Sequence, residues 1–106
     1  MAVFKNDPFE CIWTAFNNLY PDKDCECYLT EDIPDECYGC TDFPSDGSTP
    51  IVWVSGSLSV LNASEILAHE LAHVAVSPNA VHGDEWRKAF DNIHAEYDRL
   101  MNERFE

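Results

Sequence analysis

The sequence predicts one α+β domain over residues 1–106: an N-terminal helix, a small, mostly antiparallel three-stranded sheet, a second helix and a closing C-terminal helix. Three observations lead there. Apolar residues recur at helical spacing in three separate stretches, around Phe9–Leu19, Ile66–Val74 and Trp86–Leu100. Between the first two lie short runs with strand-like alternation or β-branched and aromatic content, around Tyr28, Thr41 and Trp53. A chain of 106 residues, 45% of them apolar, supports one core and has no room for a second.

The first helix opens at Asp7-Pro8-Phe9-Glu10. Asp7 can cap it, Pro8 suits the first helical position, and Glu10 completes a capping-box pattern. Phe9, Ile12, Trp13, Phe16 and Leu19 form its apolar stripe, and Tyr20-Pro21 ends it. Residues 24–30 alternate as a strand, with Cys25, Cys27 and Leu29 on one side and Glu26, Tyr28 and Thr30 on the other. Residues 37–43 read as a second strand in which Gly39 marks a bulge or a close backbone approach. Pro44-Ser45-Asp46-Gly47 is a turn, and Ile51-Val52-Trp53-Val54 is the clearest strand of all. Asn62, with Glu65 three residues on, is the expected cap of the second helix, which stops near Ser77-Pro78. The last helix runs from about Asp84, with Trp86, Phe90, Ile93, Tyr97 and Leu100 as its stripe.

Twenty acids against six bases give a net charge of −14. Such a surface repels phosphate backbones and anionic lipid, so no nucleic-acid or membrane partner is expected, whereas a basic polypeptide suits it. Solubility alone accounts for the charge at least as well. No window approaches the roughly 18 apolar residues of a membrane span, and Met1-Ala2-Val3-Phe4-Lys5 leads into a polar stretch rather than an apolar signal region. The expected location is the cytoplasm, where cysteines stay reduced or bind metal.

The second helix carries the chemistry. In His69-Glu70-Leu71-Ala72-His73 the histidines stand four apart, so both imidazoles can aim at one point, with Glu70 at the edge of the same face. Zinc hydrolases need this arrangement, in which imidazoles hold the metal and a carboxylate takes a proton from its bound water. Catalytic zinc usually keeps three protein ligands and an open position. His82 is the natural third, because the Ser77-Pro78-Asn79 break lets the chain turn back over the helix. Asp84, Glu85 and His94 are the reserve candidates. Chance histidines on an exposed helix would share this spacing. The flanking Ile66-Leu67-Ala68 and Val74-Ala75-Val76 argue instead for partly buried polar groups that need partners.

With these residues in place, the chain resembles the SprT-like zinc metallopeptidase family. The likeness rests on the HExxH segment 69–73, followed by His82-Gly83-Asp84-Glu85-Trp86 as a His-Gly-x-x-aromatic element opening the last helix. Tyr38, Gly39, Thr41 and Phe43 look like the Tyr-Gly-x-Thr-x-Phe strand of compact metallopeptidase-like chains encoded by bacteriophages and prophages. The resemblance spans most of residues 8–100 and is specific around 69–86. It implies a minimal zincin-like fold, one catalytic Zn2+ on His69, His73 and His82, Glu70 as general base, and hydrolysis of peptide bonds. A host-cytoplasmic or virion-associated setting and phage-protein partners come with it. The rival class is a non-catalytic virion component or adaptor that uses zinc only to hold its fold. A zinc hydrolase acting on a non-peptide amide is a weaker third.

Strand 51–56, if it lies at the sheet edge above the cleft, is expected to pair with an extended substrate. Tyr97 and His94 can reach the site from the last helix, with core packing preferred for Tyr97 and a surface position for His94. Cys25-x-Cys27 and Cys37-x-x-Cys40 place four thiols on what read as neighbouring strands. Reduced thiols are the preferred reading; a second, structural Zn2+ and disulfides of three connectivities stay open. Cys11 is most simply a small core residue.

Overall fold

The computed structural model describes residues 6–31, 37–76 and 83–104. Their order is α1 (Pro8–Leu19), β1 (Glu26–Thr30), β2 (Gly39–Asp42), β3 (Ile51–Ser55), α2 (Val60–Ala75) and α3 (Asp84–Arg104). The α+β class and the succession of helix, three strands and two helices are those the sequence predicts.

Local chemistry sets the start of α1. The Asp7 carboxylate accepts from the backbone N–H groups of Phe9 and Glu10 at 3.0 and 3.3 Å, and Pro8 takes the first turn, where no amide is needed. The Glu10 carboxylate does not fold back to complete a capping box. It accepts instead from Arg104 of α3 at 2.6 Å and from Thr14 at 3.0 Å, and the Arg104 guanidinium holds its carboxyl below the usual range. Asn18 donates to Glu96 at 3.0 Å farther along the same pair of helices. Exposed pairs like these contribute about 0.2–1 kcal/mol each. The fully buried Phe16 and Ile93 matter more, at about 1.5–3 kcal/mol apiece.

The sheet has the order β1-β3-β2 and is mixed. β2 runs antiparallel to β3, as the expected mostly antiparallel sheet requires, but β1 pairs with β3 in parallel. The physical reason lies in β3. Its Ile-Val-Trp-Val run is the most apolar of the three, and only the central position bonds both of its edges. Side chains alternate across the sheet, so register decides what faces the helices. Cys27, Val52 and Thr41 share one face, and Tyr28, Trp53 and Cys40 share the other, where the Tyr28 and Trp53 rings stack at 5.0 Å. The turn before β3 closes with the Gly47 N–H donating to the Pro44 carbonyl at 3.2 Å, and Gly47 holds a φ of 79°, which suits glycine.

All three helices share one core with the inner face of β3. Ile12 and Phe16 of α1, Val52 and Val54 of β3, Leu67, Leu71 and Val74 of α2, and Trp86 and Ile93 of α3 form a single buried cluster. α2 begins earlier than the sequence suggests. Its cap is Ser59, whose hydroxyl accepts from the Asn62 N–H at 3.2 Å, so the expected cap Asn62 lies inside the first turn. Val60 and Leu61 of that turn are 58% and 70% exposed, and their apolar character masks the true start. α2 ends at Ala75 with Val76 extended, and the predicted break at 77–79 lies outside the described residues.

Gly39 is where β2 touches α2. A Cβ built there would collide with Ile66 Cγ2 and stand 3.3 Å from Glu70 Cγ and 3.2 Å from the Trp53 carbonyl oxygen. Ile66 is β-branched and cannot swing away cheaply. Gly39→Ala is therefore expected to destabilise the fold by about 1–3 kcal/mol, the usual cost of overpacking. Urea denaturation measures it, and an unchanged midpoint would show that the two elements part without penalty.

Candidate metal centre

α2 sorts its side chains by face. Leu67, Leu71 and Val74 are buried in the core, while Ile66, His69, Glu70 and His73 follow one another along the side turned to β2 and α3. The His69 and His73 ring centroids lie 5.2 Å apart, and both rings are partly exposed. Glu70 is 6% exposed, and its Oε2 stands 3.8 Å from His69 Nε2. Two imidazoles one turn apart beside a carboxylate form a donor set that fits Zn2+.

Two further residues build the site. Thr41 stands on the face of β2 that looks at α2, and its hydroxyl donates to Glu70 Oε1 at 2.8 Å, with the Glu70 carbonyl at 3.3 Å. A carboxylate this buried needs such donors. Trp86, in the first turn of α3, packs its ring 4.7 Å from that of His69 and 5.6 Å from that of His73. Its indole N–H donates to the His69 carbonyl at 3.2 Å, and Phe90 stacks behind it at 5.1 Å. Periodicity reads Trp86 as core stripe and Thr41 as a strand residue, and the family resemblance quotes both in its motifs without giving either a role. The signal for Thr41 is its position two residues after Gly39, on the same strand face, where the backbone comes closest to the helix.

The remaining predicted site residues fall as follows. His82 lies outside the described residues. Asp84 and Glu85 stand exposed at the start of α3. Tyr97 packs against the core, as preferred. His94 sits between α2 and α3 against Phe90, with Nε2 3.3 Å from Glu65 Oε2, although the angles make no hydrogen bond. Among the described residues, no group of three or more histidine, cysteine, aspartate or glutamate side chains gathers as a metal site.

The cysteines divide. Cys25 and Cys27 bring their Sγ atoms to 3.7 Å on the helix side of the sheet. The hydrogen bond between them holds the Cys27 thiol below its usual range, and the same bond, followed by burial and the Cys27 charge, pushes the Cys25 thiol up. β1 and β2 are not neighbours as expected, since β3 lies between them and sets them about 9–10 Å apart. Cys40 also faces the opposite side of the sheet from Cys27. The four thiols thus do not converge. Cys11 is fully buried, as a small core residue should be.

β2 runs alongside α2, with Glu70 held between them. Gly39 meets Ile66 and Glu70 at one end, and Phe43 lines a recess of about 550 Å³ with Val74 and Val76 at the other. β3 has both edges paired and cannot accept an added strand, contrary to the sequence expectation; among the described strands, β2 is the outer one beside Glu70. No family model, no curated protein and no solved structure matches this chain. Also, no described helix is long and apolar enough to cross a membrane.

Thr41→Val removes the hydroxyl and keeps the shape. The variant is expected to lose about 1–3 kcal/mol of stability, because a buried carboxylate loses a donor. Thr41→Ser should retain most of it. Equal denaturation midpoints for the valine and serine variants would show that the bond contributes nothing.

Proposed function

We propose that this chain is a zinc-dependent peptidase of the SprT-like kind. The observation that carries the reading is Glu70: a nearly buried glutamate, steadied by Thr41, next to two histidines that share one helix face beside an outer strand. A zinc that only holds a fold needs no such acid. His69 and His73 would hold the metal, with His82 as the third ligand supplied by the segment after α2.

Bound there, Zn2+ would supply Lewis acidity, bringing water towards ionisation near neutral pH and polarising the scissile carbonyl. Glu70 takes the proton of the attacking water and passes it to the leaving amine. Thr41 steadies the Glu70 carboxylate by donating to one of its oxygens. Trp86 braces the two imidazoles and keeps bulk water from their inner side. An extended polypeptide would lie along the outer edge of β2, where strand addition aligns it with Glu70. The charge of −14 favours a basic polypeptide and disfavours nucleic acid.

Metal analysis and proteolysis together test this. The purified chain is expected to bind one Zn2+ and to cleave unfolded basic polypeptides in a chelator-sensitive way. Glu70→Gln should keep the zinc and lose about 100-fold or more in rate. His69→Ala, His73→Ala and His82→Ala should each weaken zinc binding. Full activity in Glu70→Gln would sink the base assignment, and unchanged zinc in His82→Ala would move the third ligand elsewhere. Tight zinc with no cleavage of any polypeptide would leave only the fold-stabilising or adaptor role.

A further inference from the structure

A second recess lies at the N-terminal end of α2. It measures about 320 Å³ and is lined by Tyr38, Leu58, Asn62, Glu65 and Ile66. Ile66 precedes Glu70 by one helical turn, about 6 Å along the axis, on the same face. The Gly39 backbone packs against both residues, so the recess lies on the β2 side of α2, one turn from Glu70. Its volume is at the lower end of ligand pockets, room for one side chain and not for a cofactor.

We propose that this recess is the subsite for a long cationic side chain, lysine or arginine, of a polypeptide lying along β2. The inference rests on the peptidase reading and adds its specificity. Tyr38, Leu58 and Ile66 offer an apolar wall to the methylene stem, the mode in which such chains bury their length and keep the charge at the rim. Asn62 and Glu65, three apart on α2, supply the acceptor oxygens. The Glu65 side chain is 58% exposed and stands 3.3 Å from His94 Nε2 without hydrogen-bonding it, so an incoming ammonium or guanidinium group reaches the carboxylate from the solvent side and competes only with that imidazole. Among the described residues, no lysine or arginine lines this recess. The recess at the C-terminal end of α2 differs, because Lys23 shares it with Asp22 and Asp24. Selection for a cation therefore belongs at the Glu65 end.

The test uses the full-length Glu70→Gln protein, so that binding is read without cleavage. Fluorescence anisotropy compares labelled peptides of one unstructured host sequence carrying a single lysine, norleucine or glutamate. The lysine peptide is expected to bind about five-fold tighter than the norleucine peptide at low salt, with the gap closing as salt rises. Adding Glu65→Gln should bring the two together without shifting the melting temperature. NMR shift changes should centre on Tyr38, Leu58 and Asn62. Equal affinities for lysine and norleucine, a preference that survives Glu65→Gln, or no peptide binding at all would each overturn the subsite. Selective binding together with an absence of cleavage by the unsubstituted protein would instead sink the peptidase reading and leave the subsite standing.

Discussion

The contact between β2 and α2 is the constraint on which the rest of the molecule depends. At Gly39 the strand backbone lies directly against Ile66 and the Glu70 stem, and two residues later Thr41 donates to the Glu70 carboxylate. Alternation along the strand ties these facts together: residues 39 and 41 face the helix, and 40 faces away. A side chain at 39 would lift the strand from the helix, and with it the hydroxyl that steadies the acid. Stability and proposed chemistry thus share one interface.

Around that contact, the core and the site are two sides of one helix. Leu67, Leu71 and Val74 fix α2 against α1, α3 and β3, so the histidine face cannot rotate without exposing them. Trp86 links the two sides. It belongs to the buried cluster, yet its ring touches both imidazoles and its N–H bonds the His69 carbonyl of α2. Packing holds His69 and His73 in place, the preorganisation that a metal site would depend on.

The acidic surface acquires a direction once the groove is placed. Net charge alone distinguishes poorly between solubility and recruitment of basic partners. An outer strand beside Glu70, flanked by a recess that carries Glu65, gives the charge a place to act in the proposed peptidase. The dithiol Cys25–Cys27, by contrast, sits on the far edge strand and has no part in that groove.

Much of this was legible in the residues. Periodicity located the three helices, because an apolar stripe at 3–4 spacing has only one way to be buried, and Asp7-Pro8 marked where α1 begins. The spacing of His69, Glu70 and His73 is a local property of a helix, so it too could be read along the chain. What the chain order could not reveal was the parallel pairing of β1 with β3, the central place of β3, the turn towards Glu70 of the Thr41 hydroxyl, or the separation of Cys27 from Cys40. These depend on which strand gains most from having both edges bonded and on which face each strand then presents. Such choices are made between segments distant in sequence, and only the folded chain makes them.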